Sequence, residues 1–409
     1  MIALESWICK PVILIIPCTI GMVIRLAPGD ILIDNTRYSP CHAQAGMYPQ
    51  IHRVNTKGKA MKLLVIKLFA VLGIAFGSMS SSPALGEEIE HAGITEVVRG
   101  YFPAETKGGL ALLVVKNGAV IHSKGYGLVF GKEPVTPQTP MGLASVTKQF
   151  TAMCAAFLIE EGKLNLTDRV SQHLPDIRIE KDGRELLVQD LLWHTSGLPN
   201  FIKAEERESI KKYRQAHGLE RLNNKTHAEW LMTMPLRRVP GTEFEYTNSG
   251  YVLLARIVEV IAGKPYHEFQ IERIFNALGM ANTKASTRFN GSGNTTMTLE
   301  DYEKWDRALR EGTLLVGETA KLLYQPGHLD NGEPVGYAFG WYVEPDAQGL
   351  KKVWHGGSGS LKSQARNWTI RDMQNRITVA LFIRENRQFT REIRRQFAEE
   401  ILDYVRSID

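Results

Sequence analysis

Cysteine is nearly missing from the working part of this chain. Of four cysteines in 409 residues, Cys9, Cys18 and Cys41 crowd the first tenth, and only Cys154 follows. One remaining thiol excludes an internal disulfide framework and any multi-cysteine metal site beyond that point. An excess of one charge sign is missing too. Residues 1–86 hold 8 of the 49 Lys+Arg and 3 of the 44 Asp+Glu, which leaves the body with 41 of each. A neutral body lacks the basic footprint of a nucleic-acid binder, so no nucleic-acid partner is expected. Internal repeats and metal-ligand spacings are absent. Gly356-Gly357-Ser358-Gly359 is glycine-rich, but no Lys-Ser or Lys-Thr pair and no helical pattern follows it, so it is not a phosphate loop. No metal and no cofactor are expected. What remains is a 44% apolar chain, long enough to bury a large core.

The N-terminus carries its own pattern. From Met61, two lysines (Lys62, Lys67) precede the apolar run Leu68 to Phe76, then a serine-rich stretch and Ala84-Leu85-Gly86. A basic start, a short apolar centre and small residues at alternate positions make a secretory signal over 61–86. The apolar centre is too short for a good membrane span, and no cysteine follows to take a lipid. Met61 is therefore expected to be the true start, with 1–60 an extension read from an upstream codon. The alternative, a membrane segment over Pro11 to Leu26, is interrupted by Pro11, Pro17 and Arg25. The mature chain, 87–409, is expected in the periplasm or outside the cell, without a stable membrane span.

Ser145-Val146-Thr147-Lys148 opens an apolar run: Val146, Phe150, Met153, Cys154, Phe157 and Leu158 recur at helical period up to Glu161-Gly162. A serine and a lysine three apart on a helix lie one turn apart on the same face. A lysine pressed into apolar surroundings loses hydration and its proton, and can then act as base toward the serine. A nucleophile at a helix N-terminus also has free N–H groups beside it. The plain alternative is an ordinary helix start. Ser209-Ile210-Lys211-Lys212 has the same spacing but sits among Glu205, Glu206, Arg207 and Glu208, and is expected to be inert. Cys154, on the apolar face of the first helix, reads as a small core residue.

Beyond this helix, Glu87 to Tyr101 reads as an amphipathic helix, and Asn117-Gly118 joins Leu110–Val115 to Ala119–Gly125 as a hairpin. Strands are predicted again over Ala338–Val343, Lys351–Trp354, Gln364–Ile370 and Arg376–Ile383. A last helix, Thr390–Ser407, buries Ile393, Phe397, Ile401, Leu402 and Val405 on one stripe. Strands from both ends with helices between them predict an α+β fold: an antiparallel sheet covered by terminal helices, plus an inserted, mostly helical lobe from Ser145 to about Leu323. A site is expected in the cleft between lobes.

Two further motifs fall in that scheme. Tyr246 and Asn248, two apart in a polar loop from Gly241 to Gly250, point the same way if the backbone is extended. Trp354-His355-Gly356-Gly357-Ser358 ends a predicted strand, where glycines permit close backbone approach. Alone, each reads better as a packing tyrosine and a hydrogen-bonded histidine.

In order, serine-x-x-lysine, Tyr-x-Asn and His-x-Gly resemble the serine β-lactamase and penicillin-binding protein superfamily. The Tyr-x-Asn form is similar to the class C β-lactamase-like branch, with its DD-carboxypeptidases, D-aminopeptidases and esterases. The flanks Leu191 to Pro199 and Gly336 to Trp341 match as well, and the likeness spans about Ala92 to Asp409. It implies that Ser145 forms an acyl-enzyme, that Lys148 and Tyr246 share the proton work, and that Asn248 holds Lys148 and the substrate. It further implies that His355, Gly357 and Ser358 line the substrate site, with the N–H groups of Ser145 and Ser358 as oxyanion hole. His194, in the second flank, reads as structural.

The third motif departs from the Lys-Thr-Gly of this branch's β-lactamases. His355 replaces a permanent cation with a group titrating near pH ~6.5 when unperturbed, and Gly356 removes a hydroxyl that Ser358 or Ser360 could supply. The expected function is thus a secreted serine hydrolase of D-amino-acid peptides or related amides and esters. The partner is a small-molecule or peptide substrate, peptidoglycan-derived ones included. A class C-like β-lactamase or a carboxylesterase is the alternative within enzymes, and a non-catalytic cell-wall-binding homologue the alternative outside them.

Overall fold

The computed structural model describes residues 88–408 apart from 288, 290, 347–348 and 360–363, together with short backbone segments before residue 55. Those segments form a separate four-stranded antiparallel sheet, Val12–Ile15, Val23–Ala27, Asp30–Asp34 and Arg53–Val54. Val12–Ile15 and Val23–Ala27, within the stretch considered above as a membrane segment, are strands, and the expected signal segment 61–86 lies outside the described residues. Among the described residues no helix is long and apolar enough to cross a membrane, and no cluster of three metal-ligating side chains occurs.

The body is built on one seven-stranded antiparallel sheet. Helix α1 (Ala92–Tyr101) leads into β1 (Gly109–Lys116) and β2 (Ala119–Val129). The chain then leaves for the helical lobe. It returns as β3 (Tyr342–Asp346), β4 (Gly349–Ser358), β5 (Arg366–Asp372) and β6 (Ile377–Arg384), and closes with α2 (Arg391–Ser407). The strand order is β3-β4-β5-β6-β1-β2, with Glu133–Pro134 at the far edge. Strand β1 sits inside the sheet and is buried on both faces. Leu110, Leu112 and Val114 join the core under α1 and α2, while Ala111, Leu113 and Val115 join the core of the helical lobe. That two-sided burial explains its unbroken apolar run, where a half-exposed strand would alternate.

The predicted elements hold with four changes. The first helix begins at Ala92 rather than Glu87, and Ile89 instead bridges to Ser123. Ala338–Trp341 is a turn, closed by Ala338 N–H to Trp341 O and by Gly340 at φ +80°. Strand β4 runs on through the glycines to Ser358, because β5 continues to pair with it from Trp354↔Ile370 to Ser358↔Arg366. On α2 the buried stripe begins with Arg394 rather than Ile393.

Candidate active site

Ser145 stands where the sheet meets the helical lobe. Ala144, Ser145, Val146 and Thr147 form a 3-10 turn, and the nucleophile's helix proper runs Lys148–Glu160. The Ser145 amide is therefore among the first-turn N–H groups. Ala144 holds φ +48°, a left-handed conformation that costs a non-glycine residue about 1–2 kcal/mol. The buried neighbours Leu143 and Val146 hold it there. Strand β4 passes very close: a Cβ on Gly357 would lie 2.4 Å from Leu143 O, so only glycine fits. The second flank approaches as tightly, since a Cβ on Gly340 would lie 2.7 Å from Lys148 O.

Lys148 is wholly buried. Its Nζ lies 3.4 Å from Ser145 Oγ, 2.7 Å from Asn248 Oδ1 and 2.9 Å from Ser292 O. It also lies over the Tyr246 ring at 4.9 Å from the centroid. No carboxylate among the described residues pairs with it, and burial drives its pKa well below the usual lysine value. The two oxygens that flank it accept the two hydrogens of a neutral amine, leaving the lone pair for the Ser145 hydroxyl.

Tyr246 and Asn248 straddle a helix start. Tyr246 is followed by Thr247, whose extended backbone and side chain cap the helix Asn248–Ala262 by accepting from Ser249 N–H at 3.3 Å. The expected extended loop thus ends one residue before Asn248. A second asparagine sets the first: Asn248 Nδ2 donates to Asn200 Oδ1 at 3.2 Å, and Asn200 Nδ2 donates to Tyr246 O at 3.4 Å. The Tyr246 hydroxyl is buried without a partner at hydrogen-bond geometry. Burial pushes its pKa well up, with Ser145 and Arg391 opposing. His194 packs against Tyr246 at 4.2 Å between ring centres and accepts from Thr247 N–H through Nδ1 at 3.3 Å.

His355 is buried, and burial lowers its pKa to about 3. Nδ1 faces Gly356 O at 2.8 Å, and a carbonyl only accepts, so Nδ1 carries the proton. Nε2 then accepts from Tyr337 O–H at 3.0 Å. The ring is neutral with both nitrogens engaged, and it does not replace the lysine cation of Lys-Thr-Gly. The Ser358 hydroxyl accepts from Arg394 Nη2 at 3.1 Å and keeps its own O–H as a donor. Ser360 lies outside the described residues. The Ser358 amide is differently placed. Gly359 N–H donates to Ala365 O, and antiparallel ladders bond at alternate residues. Ser358 N–H therefore points away from β5, beyond the end of β3, on a strand packed against the Ala144–Thr147 turn.

These groups line a cleft of about 1320 Å³. Its lining includes a Phe201–Phe289 ring pair with Ile202 and Leu222, beside the charged Glu220 and Arg221, and a group of Tyr342, Trp354, Arg391 and Arg394. The copy at Ser209 is elsewhere, on the helix Ala204–Ala216, with Lys212 exposed.

A β-lactamase family model matches residues 98–403. The chain belongs to the β-lactamase family. Protein flp of Staphylococcus aureus is 30% identical over 308 residues, 66% of this chain and 57% of that protein. The chain thus spans little more than half the length of such curated relatives. Among solved structures, the D-amino acid amidase from Ochrobactrum anthropi aligns at TM-score 0.62 and 19% identity, over 77% of this chain and 98% of that one. A β-lactamase/D-alanine carboxypeptidase from Yersinia pestis aligns at 0.59 and 21%, over 76% and 97%. At such identities these two likenesses speak for the fold.

Sequence reasoning missed Asn200, Ser292 and Arg394. Asn200 directly follows a matched flank and so was within reach. Ser292 contributes a main-chain oxygen, which residue identity does not reveal. Arg394 was visible as a cation on an otherwise apolar helical stripe.

Proposed function

We propose that this protein forms an acyl-enzyme on Ser145 and hydrolyses D-amino-acid peptides or related amides and esters outside the cytoplasm, with at most weak turnover of β-lactams. The opposed proton affinities of Lys148 and Tyr246 are the observation that carries it: a buried amine that gives up its proton lies over a buried phenol that keeps one. Groups pushed apart in this way are matched to base and acid.

Neutral Lys148 takes the Ser145 proton as Oγ bonds to the substrate carbonyl carbon. The oxygen's new negative charge is met by the N–H groups of Ser145 and Ser358. Tyr246 then protonates the leaving nitrogen or oxygen as its bond to carbon breaks, and the Lys148 proton restores the tyrosine. Water then attacks the remaining ester carbonyl while Lys148 takes its proton; the C–Oγ bond breaks, the proton passes to Oγ, and the acid and Ser145 are released. Asn248, set by Asn200, keeps Lys148 aimed. His355 shapes the wall as a neutral ring.

The cleft exceeds the roughly 300–1,000 Å³ of drug-sized sites, which suits a peptide. Its Phe201–Phe289 ring pair suits an apolar side chain. A neutral His355 and a bare Gly356, in place of lysine and threonine, support peptides or esters over efficient β-lactam turnover. The basic, apolar and small-residue sequence of 61–86 supports export, and peptidoglycan fragments are one substrate source consistent with it.

The test is reaction of the purified chain with a fluorescent penicillin and with a fluorophosphonate, read by intact mass and peptide mapping. Added mass on Ser145 is expected. A folded protein unlabelled by both reagents, or labelled on another serine, overturns the proposal.

A further inference from the structure

Arg394 is buried where a helix stripe is otherwise apolar. It is 3% exposed, beside Phe397, Ala398 and Ile401 on α2. No acid among the described residues pairs with it. Its guanidinium donates only to uncharged oxygens: Nε to Thr390 O at 3.0 Å, Nη1 to Gly357 O at 2.8 Å and to Asn367 O at 3.0 Å, and Nη2 to Ser358 Oγ at 3.1 Å. Burial and the nearby cations of Arg366 and Arg391 weaken its hold on its proton, to a pKa of about 10. Keeping an unpaired cation out of water is costly, and a neutral residue of similar volume would avoid that cost.

The contacts show what the charge does. The Gly357 carbonyl and the Ser358 N–H belong to one peptide group. A cation on that carbonyl draws electron density from the amide nitrogen and strengthens its N–H as a donor. The grip on Asn367 O and Ser358 Oγ fixes the rotation of the same peptide against β5. A lysine has one point of attachment and cannot hold all these oxygens, whereas a planar guanidinium can.

We infer that Arg394 is a positioning residue for acyl transfer: it pins and polarises the Gly357–Ser358 peptide so that the Ser358 amide meets the developing oxyanion. This role needs no contact with substrate, and the guanidinium keeps its charge throughout. The inference rests on the proposed reaction at Ser145, and it goes beyond that proposal in saying what sets the strength of the oxyanion hole.

The test compares the full chain with Arg394→Lys and Arg394→Gln, using p-nitrophenyl acetate, which has no carboxylate for an arginine to bind. An oxyanion contact exists only in the transition state, so kcat should fall with KM nearly unmoved. The expected fall is on the order of tenfold, below the 10²–10³ that follows loss of a donor outright. In the trapped acyl-enzyme, the infrared band of the acyl carbonyl should move to higher frequency in both variants. An unmoved band in a folded variant, or a raised KM with kcat kept, overturns the inference. If neither variant folds, proton NMR of the unaltered chain as its boronic-acid adduct decides. The Ser358 amide should then resonate downfield of the other strand amides, and a place within their range overturns the inference. Failure of the unaltered chain to acylate at all is scored separately by mass and counts against the reaction at Ser145.

Discussion

The chain carries the same four-residue spacing twice, and only the surroundings differ. Ser145 and Lys148 lie under the Tyr246 ring, with the amine held by Asn248 and Ser292 and sealed from water. Ser209 and Lys212 lie on a charged helix. There the serine hydroxyl donates to Met234 Sδ and accepts from Trp230 Nε1, while the lysine is exposed. Serine and lysine are one turn apart in sequence in both places. Only tertiary burial takes away the ammonium's hydration, so the fold, rather than the spacing, suits Lys148 to the proposed role of base.

The largest expected effect breaks that comparison directly. Lys148→Ala should lower kcat/KM for an ester substrate by roughly 10²–10⁴-fold, the usual contribution of a positioned base. Lys212→Ala should leave it unchanged. Equal losses in steady-state assays would refute the contrast.

A smaller effect sharpens it. Asn248→Asp places a carboxylate 2.7 Å from the amine in the position the amide oxygen holds. An ion pair favours the ammonium, so the Lys148 pKa rises by about 1–3 units. Because the base acts only when neutral, the ascending limb of the kcat/KM–pH profile should move to higher pH by a similar amount. An unmoved limb would mean that another group sets the profile.

The least effect concerns the buried neutral histidines. Burial lowers the pKa of His355 and His227 to about 3 and that of His122 to about 4. Burial also drives His194 well below the usual histidine value. Unfolded, each binds a proton near pH ~6.5. Between about 6.5 and 4 the unfolded chain therefore takes up protons that the folded chain refuses, so stability should fall as pH falls, by at most about 1.4 kcal/mol per unit for each histidine. Urea midpoints from pH 7 to 4 test this. His355→Gln should flatten the slope, while replacement of exposed His217 should not.

The legible parts of the molecule were those written in short stretches of sequence. Ser145 and Lys148 are three apart, and the hairpin around Asn117-Gly118 is local. The ordered motifs brought Tyr246, Asn248 and His355 to one cleft before any coordinates. Charge states were not legible, because the proton on His355 depends on Tyr337 and on burial supplied by distant segments. Strand β4 looked finished at Trp354. Two glycines argue against a strand, yet the ladder to β5 carries them, and their missing side chains are what let the strand reach the nucleophile. The turn at Ala338–Trp341 hid inside an apolar run.

Strand β6 pairs with β1 in a register joining Ile377 to Lys116 and Arg384 to Gly109. More than half of the polypeptide lies between those partners, so closing this ladder is among the slowest and most entropically demanding events in folding. Until it closes, β4 has no seat, and neither the Ser358 amide nor the His355 ring can reach the nucleophile's turn. A nascent or truncated chain that lacks its last sixty or so residues thus holds a serine and a lysine without the β4 wall beside them. The proposed activity is therefore completed late, when β6 zips onto β1.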